Sequence, residues 1–339
     1  MLLSRHPRVS LAHLPTPLEF LPRLTEHLGG PKIYVKRDDC TGLGTGGNKT
    51  RKLEFLMAEA LQQGATAVIT QGAVQSNHAR QTAAAAARLG LKCELVFEKR
   101  VAGASDAYLN SGNVLLDKLF GARIREVAKG SDMNAELDAV AAELRKNGDA
   151  PYIIPGGGSN PVGALGYVDC AFELVSQANR DGLVIDHIVH ATGSAGTQAG
   201  LAVGLKAIHA DVPLLGIGVH AGKEVQEQRV FDLATRTADF AGAAGVVRRE
   251  DIVCNCDYIG AGYGVPTDGM NAAVLLVARL EGLLFDPVYT GKALAGMIDL
   301  VRKGFFRSAK NVVFVHTGGS AGVFAYVDQL KTDNRAAGC

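Results

Sequence analysis

Lys49 stands where a glycine-rich loop gives way to helical periodicity, in the segment KRDDCTGLGTGGNKTRKLEF (36–55). A nucleotide phosphate loop needs Gly-x4-Gly-Lys-Ser/Thr, and Asn48 intervenes here between Gly47 and Lys49, so that pattern is not met. The glycines would instead let a cofactor approach the backbone closely, the setting a Schiff-base lysine requires. Taken alone, a loop lysine is more often simply solvated. The second segment, GAVQSNHARQTAAAAARLG (72–90), ends a strand in the polar turn Gln75, Ser76, Asn77 and His78 before an alanine-rich helix. Amides at such a helix start favour a carboxylate or phosphate, whereas the plain role of Ser76 and Asn77 is to cap the helix. No GxSxG elbow marks Ser76 as a hydrolase nucleophile. The third segment, IVHATGSAGTQAGLAVGL (188–205), runs from an apolar strand through Gly193, Ser194, Ala195, Gly196 and Thr197 into a helix, which makes a phosphate cradle. Its spacing is not GxGxxG, and no acidic residue follows about 20 positions on at a second strand end, so a dinucleotide site is the weaker reading.

The elements that must hold these segments alternate. Leu53, Leu56, Met57, Ala60 and Leu61 follow one helix face. Then come the strand AVIT (67–70), a helix over 77–89, the strand CELVF (93–97), a helical YLNSGNVLLDKLF (108–120), the strand ARIREV (122–127) and a helix over 133–146. Proline and glycine crowd together in PYIIPGGGSNPVG (151–163), where one unit ends and the chain crosses to another. Alternation resumes with HIVHA (187–191), a helix from Thr197, LLGIGV (214–219), a helix from about Glu224, a helix after Gly269 and NVVFV (311–315). This βαβ grammar predicts an α/β protein of parallel sheets covered by helices.

At 339 residues the chain is long enough for about two domains. Thirty-five basic against 34 acidic side chains leave no surplus to attract nucleic acid. A 47% hydrophobic composition excludes disorder, and no run reaches the length of a membrane helix or has the form of a signal peptide. Cys40, Cys93, Cys170, Cys254, Cys256 and Cys339 are scattered without a CxxC pair, which suits a reducing compartment and argues against a structural metal. A cytoplasmic protein is expected, with a polar tail, KTDNRAAGC, that frays.

Together, GGNKTRKLEF (46–55), QSNHARQTAAAAARLG (75–90), GSNPVGALGY (158–167), ATGSAGTQAGL (191–201), GYGVP (262–266), DPVYTGK (286–292) and HTGG (316–319) resemble the pyridoxal-phosphate enzymes of fold type II. The likeness is to the branch holding 1-aminocyclopropane-1-carboxylate deaminase, D-cysteine desulfhydrase and L-cysteate sulfo-lyase, and it covers nearly the whole chain. It implies two open, twisted parallel-sheet domains of the tryptophan synthase β type. Residues 1–50 with 155–339 would form the larger, cofactor-binding one and 51–154 the smaller. It implies Lys49 as the lysine bonded to pyridoxal 5'-phosphate, with Asn48 beside it, Asn77 near the phenolic oxygen, and Lys52 with Gly193, Ser194, Ala195, Gly196 and Thr197 holding the phosphate. Ser76 matches a catalytic serine, Gln75 to His78 would receive the substrate carboxylate, and Tyr263 and Tyr289 match two active-site tyrosines. A homodimer acting on a small amino acid is implied as well.

Two positions depart from the deaminase pattern. A glutamate facing the pyridine nitrogen follows the DPVY tyrosine in the deaminase, and Thr290 stands there; a leucine of the deaminase is replaced by Thr317. An uncharged partner makes a weaker electron sink, which favours expelling a Cβ substituent over opening a ring. The resemblance therefore implies β-elimination, with Lys49 or Ser76 taking the Cα proton. The small residues Gly42 to Thr45, with hydroxyls from Thr41, Thr45, Thr290 and Thr317, lean toward L-cysteate, giving pyruvate, sulfite and ammonia. The alternative is D-cysteine, giving sulfide, and the deaminase reaction comes next. Two other classes remain: a phosphate-binding regulatory or storage protein of the same fold, and a NAD-dependent oxidoreductase.

Overall fold

The computed structural model describes residues 1–330; the tail KTDNRAAGC expected to fray, Cys339 included, lies outside the described residues. In chain order the first half contains β1 (Leu18–Phe20), α1 (Pro22–Leu28), β2 (Lys32–Lys36), α2 (Lys49–Gln62), β3 (Ala67–Ala73), α3 (Asn77–Leu89), β4 (Lys92–Glu98), α4 (Asp106–Asn110), α5 (Asn113–Leu119), β5 (Arg123–Val127), α6 (Met133–Lys146) and β6 (Pro151–Ile153). The second half contains α7 (Pro161–Arg180), β7 (His187–Thr192), α8 (Gly196–Ala207), β8 (Leu214–Gly218), α9 (Lys223–Phe240), β9 (Val253–Asn255), α10 (Asp268–Glu281), α11 (Thr290–Arg302) and β10 (Asn311–Val315). No helix among the described residues is long and apolar enough to cross a membrane.

The strands form two sheets, one in the order β1-β2-β10-β7-β8-β9 and one in the order β5-β4-β3-β6. All pairings are parallel except at one edge, where β1 runs antiparallel to β2, a departure from the all-parallel expectation. Period-two alternation divides β10: Val313 and Val315 pack with α7, α8 and α9 on one face, Val312 and Phe314 with α10 and α11 on the other. In the second sheet Val68, Leu95 and Phe97 meet α2 and α3, while Ala67, Ile69 and Val96 meet α6. Both sheets are thus buried on two faces, which is why their strands read as nearly continuous apolar runs.

Two further sequence expectations needed revision. The single helix anticipated over 108–120 is broken at Ser111–Gly112, where Gly112 sits at φ +58. A Cβ there would come within 2.7 Å of the Ala321 carbonyl and 2.9 Å of the Gln75 amide oxygen, so the close approach requires glycine. The Pro/Gly-rich crossing at 151–163 turns directly into α7, a 20-residue helix with Asn160 Oδ1 accepting from Gly163 N at 2.8 Å and Pro161 in its first position.

A buried ion cluster fixes the start of α2. Arg51 donates to both Asp38 oxygens at 2.9 Å and to Glu173 at 2.8 and 3.0 Å, Tyr167 donates to Asp38 at 2.5 Å, and Lys36 pairs with Glu173. The Arg51 guanidinium, with the Lys36 amine, holds both carboxyls below their ordinary range despite burial. Gly200 and Gly204 let α8 lie against α7: a Cβ on Gly200 would be 2.3 Å from the Ala164 carbonyl. These contacts set the first turns of α2 and α8 against each other.

Candidate active site

A cavity of about 260 Å³ opens beyond the C-terminal ends of β3 and β7, lined by Lys49, Ser76, Asn77, His78, Gly193 to Ala195, Thr197, Tyr263, Tyr289 and Thr317 among others. Ligand crevices of open α/β sheets lie at such strand ends. Lys49 is the first residue of α2, and its Nζ donates to the Gly157 carbonyl at 3.1 Å. Burial lowers its amine from 10.5 to about 8, so an appreciable neutral fraction exists near neutral pH. Asn48 is buried beside it, its amide donating to Thr197 Oγ1 at 3.0 Å.

Lys52 lies one turn further along α2, fully buried, and its Nζ reaches the same Gly157 carbonyl at 3.1 Å and Ser159 Oγ at 3.4 Å. Burial, then the neighbouring Lys49, pushes its amine far down. Above it begins α8, the Ser194 and Ser159 hydroxyls 2.8 Å apart and Gly196 N donating to Ser159 Oγ at 3.3 Å. A Cβ on Gly196 would sit 2.8 Å from Lys52 Nζ. Ala195 adopts φ +71, a region L residues rarely occupy, as the chain turns into the helix. Two buried amines at the positive end of a helix repel each other and the helix dipole, and an anion would relieve both. The residues therefore fit a phosphate with a carbonyl near Lys49, as pyridoxal phosphate carries; Lys49 would bond it, with Lys52 and the Gly193–Thr197 amides around its phosphate.

The turn before α3 serves two purposes. Ser76 caps the helix, its Oγ accepting from Ala79 N at 3.1 Å, and it also faces the cavity with its proton free to donate. Asn77 donates to Asp286 Oδ2 at 3.3 Å. His78 meets Thr70 Oγ1 at 2.8 Å through Nε2, and burial keeps its ring neutral. Gln75 does not face the cavity, contrary to expectation: its amide donates to the Tyr108 and Ser111 carbonyls at 2.7 and 2.8 Å and accepts from Asn113 N at 3.0 Å, stitching the break between α4 and α5.

Tyr263 and Tyr289 hydroxyls lie 2.7 Å apart on the cavity wall, with burial raising both well beyond neutrality. Thr317 lines the cavity and its carbonyl accepts from Asn48 N at 3.0 Å, but Thr290 does not line it. The Thr290 hydroxyl is 2.8 Å from Asp286 N and 3.4 Å from the Gly318 carbonyl, behind the wall, so its side chain closes a helix start rather than facing a ligand. The loop expected to receive a sulfonate is absent from the wall as well. Thr41 bonds Gly47 N and O at 2.7 and 2.9 Å, holding the loop shut beneath Lys49, and residues 42–45 lie away from the cavity.

Sequence reasoning missed Arg100, His220 and Arg229, which also line the cavity. Arg100 is held by Glu98 at 2.5 Å and sits 5.4 Å from the Tyr263 ring centroid, and His220 meets the same ring edge-on at 5.7 Å. Arg100 and His220 each follow a strand end, which is their one signal in the sequence, while Arg229 lies within a helix whose facing periodicity does not reveal. Asp286 was also missed, though it opens the DPVYTGK motif.

Residues 9–318 match the family described as pyridoxal-phosphate dependent enzyme. The chain is 47% identical over 328 residues to a protein named D-cysteine desulfhydrase from Klebsiella pneumoniae subsp. pneumoniae, covering 97% of this chain and 98% of the relative. A Salmonella typhi protein of the same name is 47% identical over 324 residues, covering 96% and 97%. Among solved structures, one described as an ACC deaminase homologue superimposes with a TM-score of 0.88 at 41% identity, covering 97% of this chain and 96% of that one. The α/β fold is the one these proteins share, fold type II.

Proposed function

Since the chain belongs to the pyridoxal-phosphate dependent enzyme family, we propose that it is a carbon–sulfur lyase performing β-elimination on a cysteine-type amino acid, with D-cysteine as substrate. The observation that carries this reading is Lys49, Ser76 and the Tyr263–Tyr289 pair lining one cavity beside an anion cradle. The names of the relatives favour D-cysteine over L-cysteate. Bound cofactor supplies an electrophilic carbonyl for the substrate amine and an electron sink for the Cα carbanion. The substrate carboxylate is received by the amides and the Ser76 hydroxyl at the start of α3. Once the substrate amine has taken its place on the cofactor, Lys49 Nζ would be free again and, neutral in part near pH 7.5, would take the Cα proton. The carbon–sulfur bond then breaks, and because the tyrosine pair shares a single hydrogen bond, one phenolic proton remains to be given to the departing sulfur. Released product hydrolyses to pyruvate and ammonia, so cysteine and water account for sulfide, pyruvate and ammonia. The two domains, 1–50 with 155–339 and 51–154, belong to this proposal, supported by the confinement of one sheet to residues 67–153. The homodimer and cytoplasmic location rest on the resemblance and on composition.

A second reading is kept by Arg100 and Arg229. A thiol needs no cationic wall, whereas a sulfonate on Cβ would be met by guanidinium groups, so L-cysteate remains the rival substrate. The test is the loaded enzyme with D-cysteine and L-cysteate in separate reactions, scoring sulfide, sulfite and pyruvate. Sulfide with pyruvate from D-cysteine is expected. Sulfite in excess selects the rival, and pyruvate from neither refutes the lyase.

A further inference from the structure

Asn77 is the third member of a directional chain of hydrogen bonds. Arg80 Nη1 donates to Asn113 Oδ1 at 3.1 Å, Asn113 Nδ2 donates to Asn77 Oδ1 at 3.1 Å, and Asn77 Nδ2 donates to Asp286 Oδ2 at 3.3 Å. An asparagine amide can be turned end for end, but this chain cannot. Its first member is a guanidinium, which has no acceptor, and its last is a carboxylate, which has no donor once ionised. Both ends are buried and anchored. Arg80 Nη2 donates to the Gly46 carbonyl at 2.5 Å, and Asp286 Oδ1 accepts from Tyr289 N and Thr290 N at 2.8 and 2.9 Å. Their charges persist at neutral pH, since burial lowers Arg80 only to about 10 and raises Asp286 only to about 6. Gly319, at φ +100, leaves room for the final link: a Cβ there would fall 2.6 Å from Asn77 Nδ2 and 2.7 Å from Asp286 Cβ.

We propose that Arg80 and Asp286 are positioning residues that set the sense of the Asn77 amide, so that an N–H, and not the carbonyl, is offered to the cavity. Asn77 Oδ1 is consumed by Asn113 and one amide hydrogen by Asp286, which leaves the second hydrogen as the group available to a ligand. An acceptor oxygen beside Lys49, such as a phenolate, would then be bound by a donor whose orientation is fixed from both ends. This inference rests on the proposed cofactor site.

The test uses the cofactor-loaded protein without substrate and reads its visible absorption band against pH. Asp286→Asn is close in shape but puts a donor opposite Asn77 Nδ2, so the amide is free to turn. Losing a donor to a phenolate makes the bound chromophore more basic, and the midpoint of the band's pH conversion is expected to rise by about one pH unit. Asn77→Ala should give the same rise, and the double variant no more than either single one, as for residues acting through one contact. If Asp286→Asn does not fold, Asn113→Asp places an acceptor opposite Asn77 Oδ1 and challenges the orientation from the other end, with the same expected rise. An unchanged midpoint in the variants, or additive shifts, overturns the positioning role while leaving the site intact. A wild-type protein with no visible band abolished by Lys49→Ala overturns the cofactor site and this inference with it.

Discussion

Replacing Lys49 by methionine should make the cofactor-free protein more stable at pH 7 while abolishing turnover. The amine falls from 10.5 to about 8 on burial. At about 1.4 kcal/mol per tenfold change, holding it charged costs the fold roughly 3 kcal/mol at pH 7. A base whose folded pKa is depressed withholds stability at low pH and returns it as pH rises from the folded toward the unfolded value. The penalty is therefore complete below about pH 7, shrinks to about 1.4 kcal/mol at pH 9.5 and vanishes above 10.5. Relief of Lys52, whose amine Lys49 also pushes down, acts in the same direction. The assay is urea unfolding of cofactor-free wild type and Lys49→Met at pH 7.0 and 9.5. The variant should gain about 3 kcal/mol at the lower pH and about half as much at the higher. A gain independent of pH would be apolar packing by the methionine, and a loss at pH 7 would show that the amine is solvated; either result refutes the argument from burial.

Tyr263→Phe removes the bond to Tyr289 at a stability cost of about 1 kcal/mol, and elimination should fall at least about tenfold; normal turnover with that stability loss would make the pair packing alone. Gly196→Ala drives a methyl toward Lys52 Nζ and Ser159 Oγ, so the cofactor dissociation constant, measured by fluorescence titration, should rise by about tenfold or more. Arg51→Met leaves Asp38 and Glu173 without their guanidinium and should cost about 3–5 kcal/mol in urea unfolding. Because both carboxyls are depressed in the fold, wild type holds their stabilisation above the ordinary values of 3.8 and 4.5 and loses it as pH falls further; the variant should show a flatter acid limb.

Much of the architecture was legible because strands buried on two faces read as apolar runs, and the core-facing stripe of α2 was written in helical periodicity. The break at Gly112 was not legible, since it depends on Gln75 arriving from 38 residues upstream to hold the Asn113 amide. For the same reason Gln75, placed among the substrate-facing residues by its neighbours in sequence, is spent on structure. Thr290 failed likewise: its hydroxyl closes back on Asp286, and four residues of separation say nothing about which side of the wall it faces. That Lys49 and the Gly193–Thr197 loop meet at one cavity was legible because a lysine after glycines, and small residues at a helix start, leave amine and backbone amides open to an anion, whereas Lys52 came only from the family resemblance. Arg100 and His220 carry only the weak signal of following a strand end and Arg229 none, as only the tertiary fold brings the three to one cavity.

The cluster that seats the first turn of α2 joins residues far apart in synthesis. Arg51 meets Glu173 across 122 positions, which at about 5–20 residues per second is roughly 6–25 s of translation. The parallel neighbour of β2 on the inner side of its sheet, β10, emerges later still. Lys49 is thus made early and seated later: for about a third of its synthesis the nascent chain carries Arg51 with Asp38 and Thr16 but without Glu173. Truncated chains ending before α7 would hold the lysine without Tyr167 and Glu173 in the cluster that seats its helix, so that seat is completed only once the second half of the chain has begun to be made.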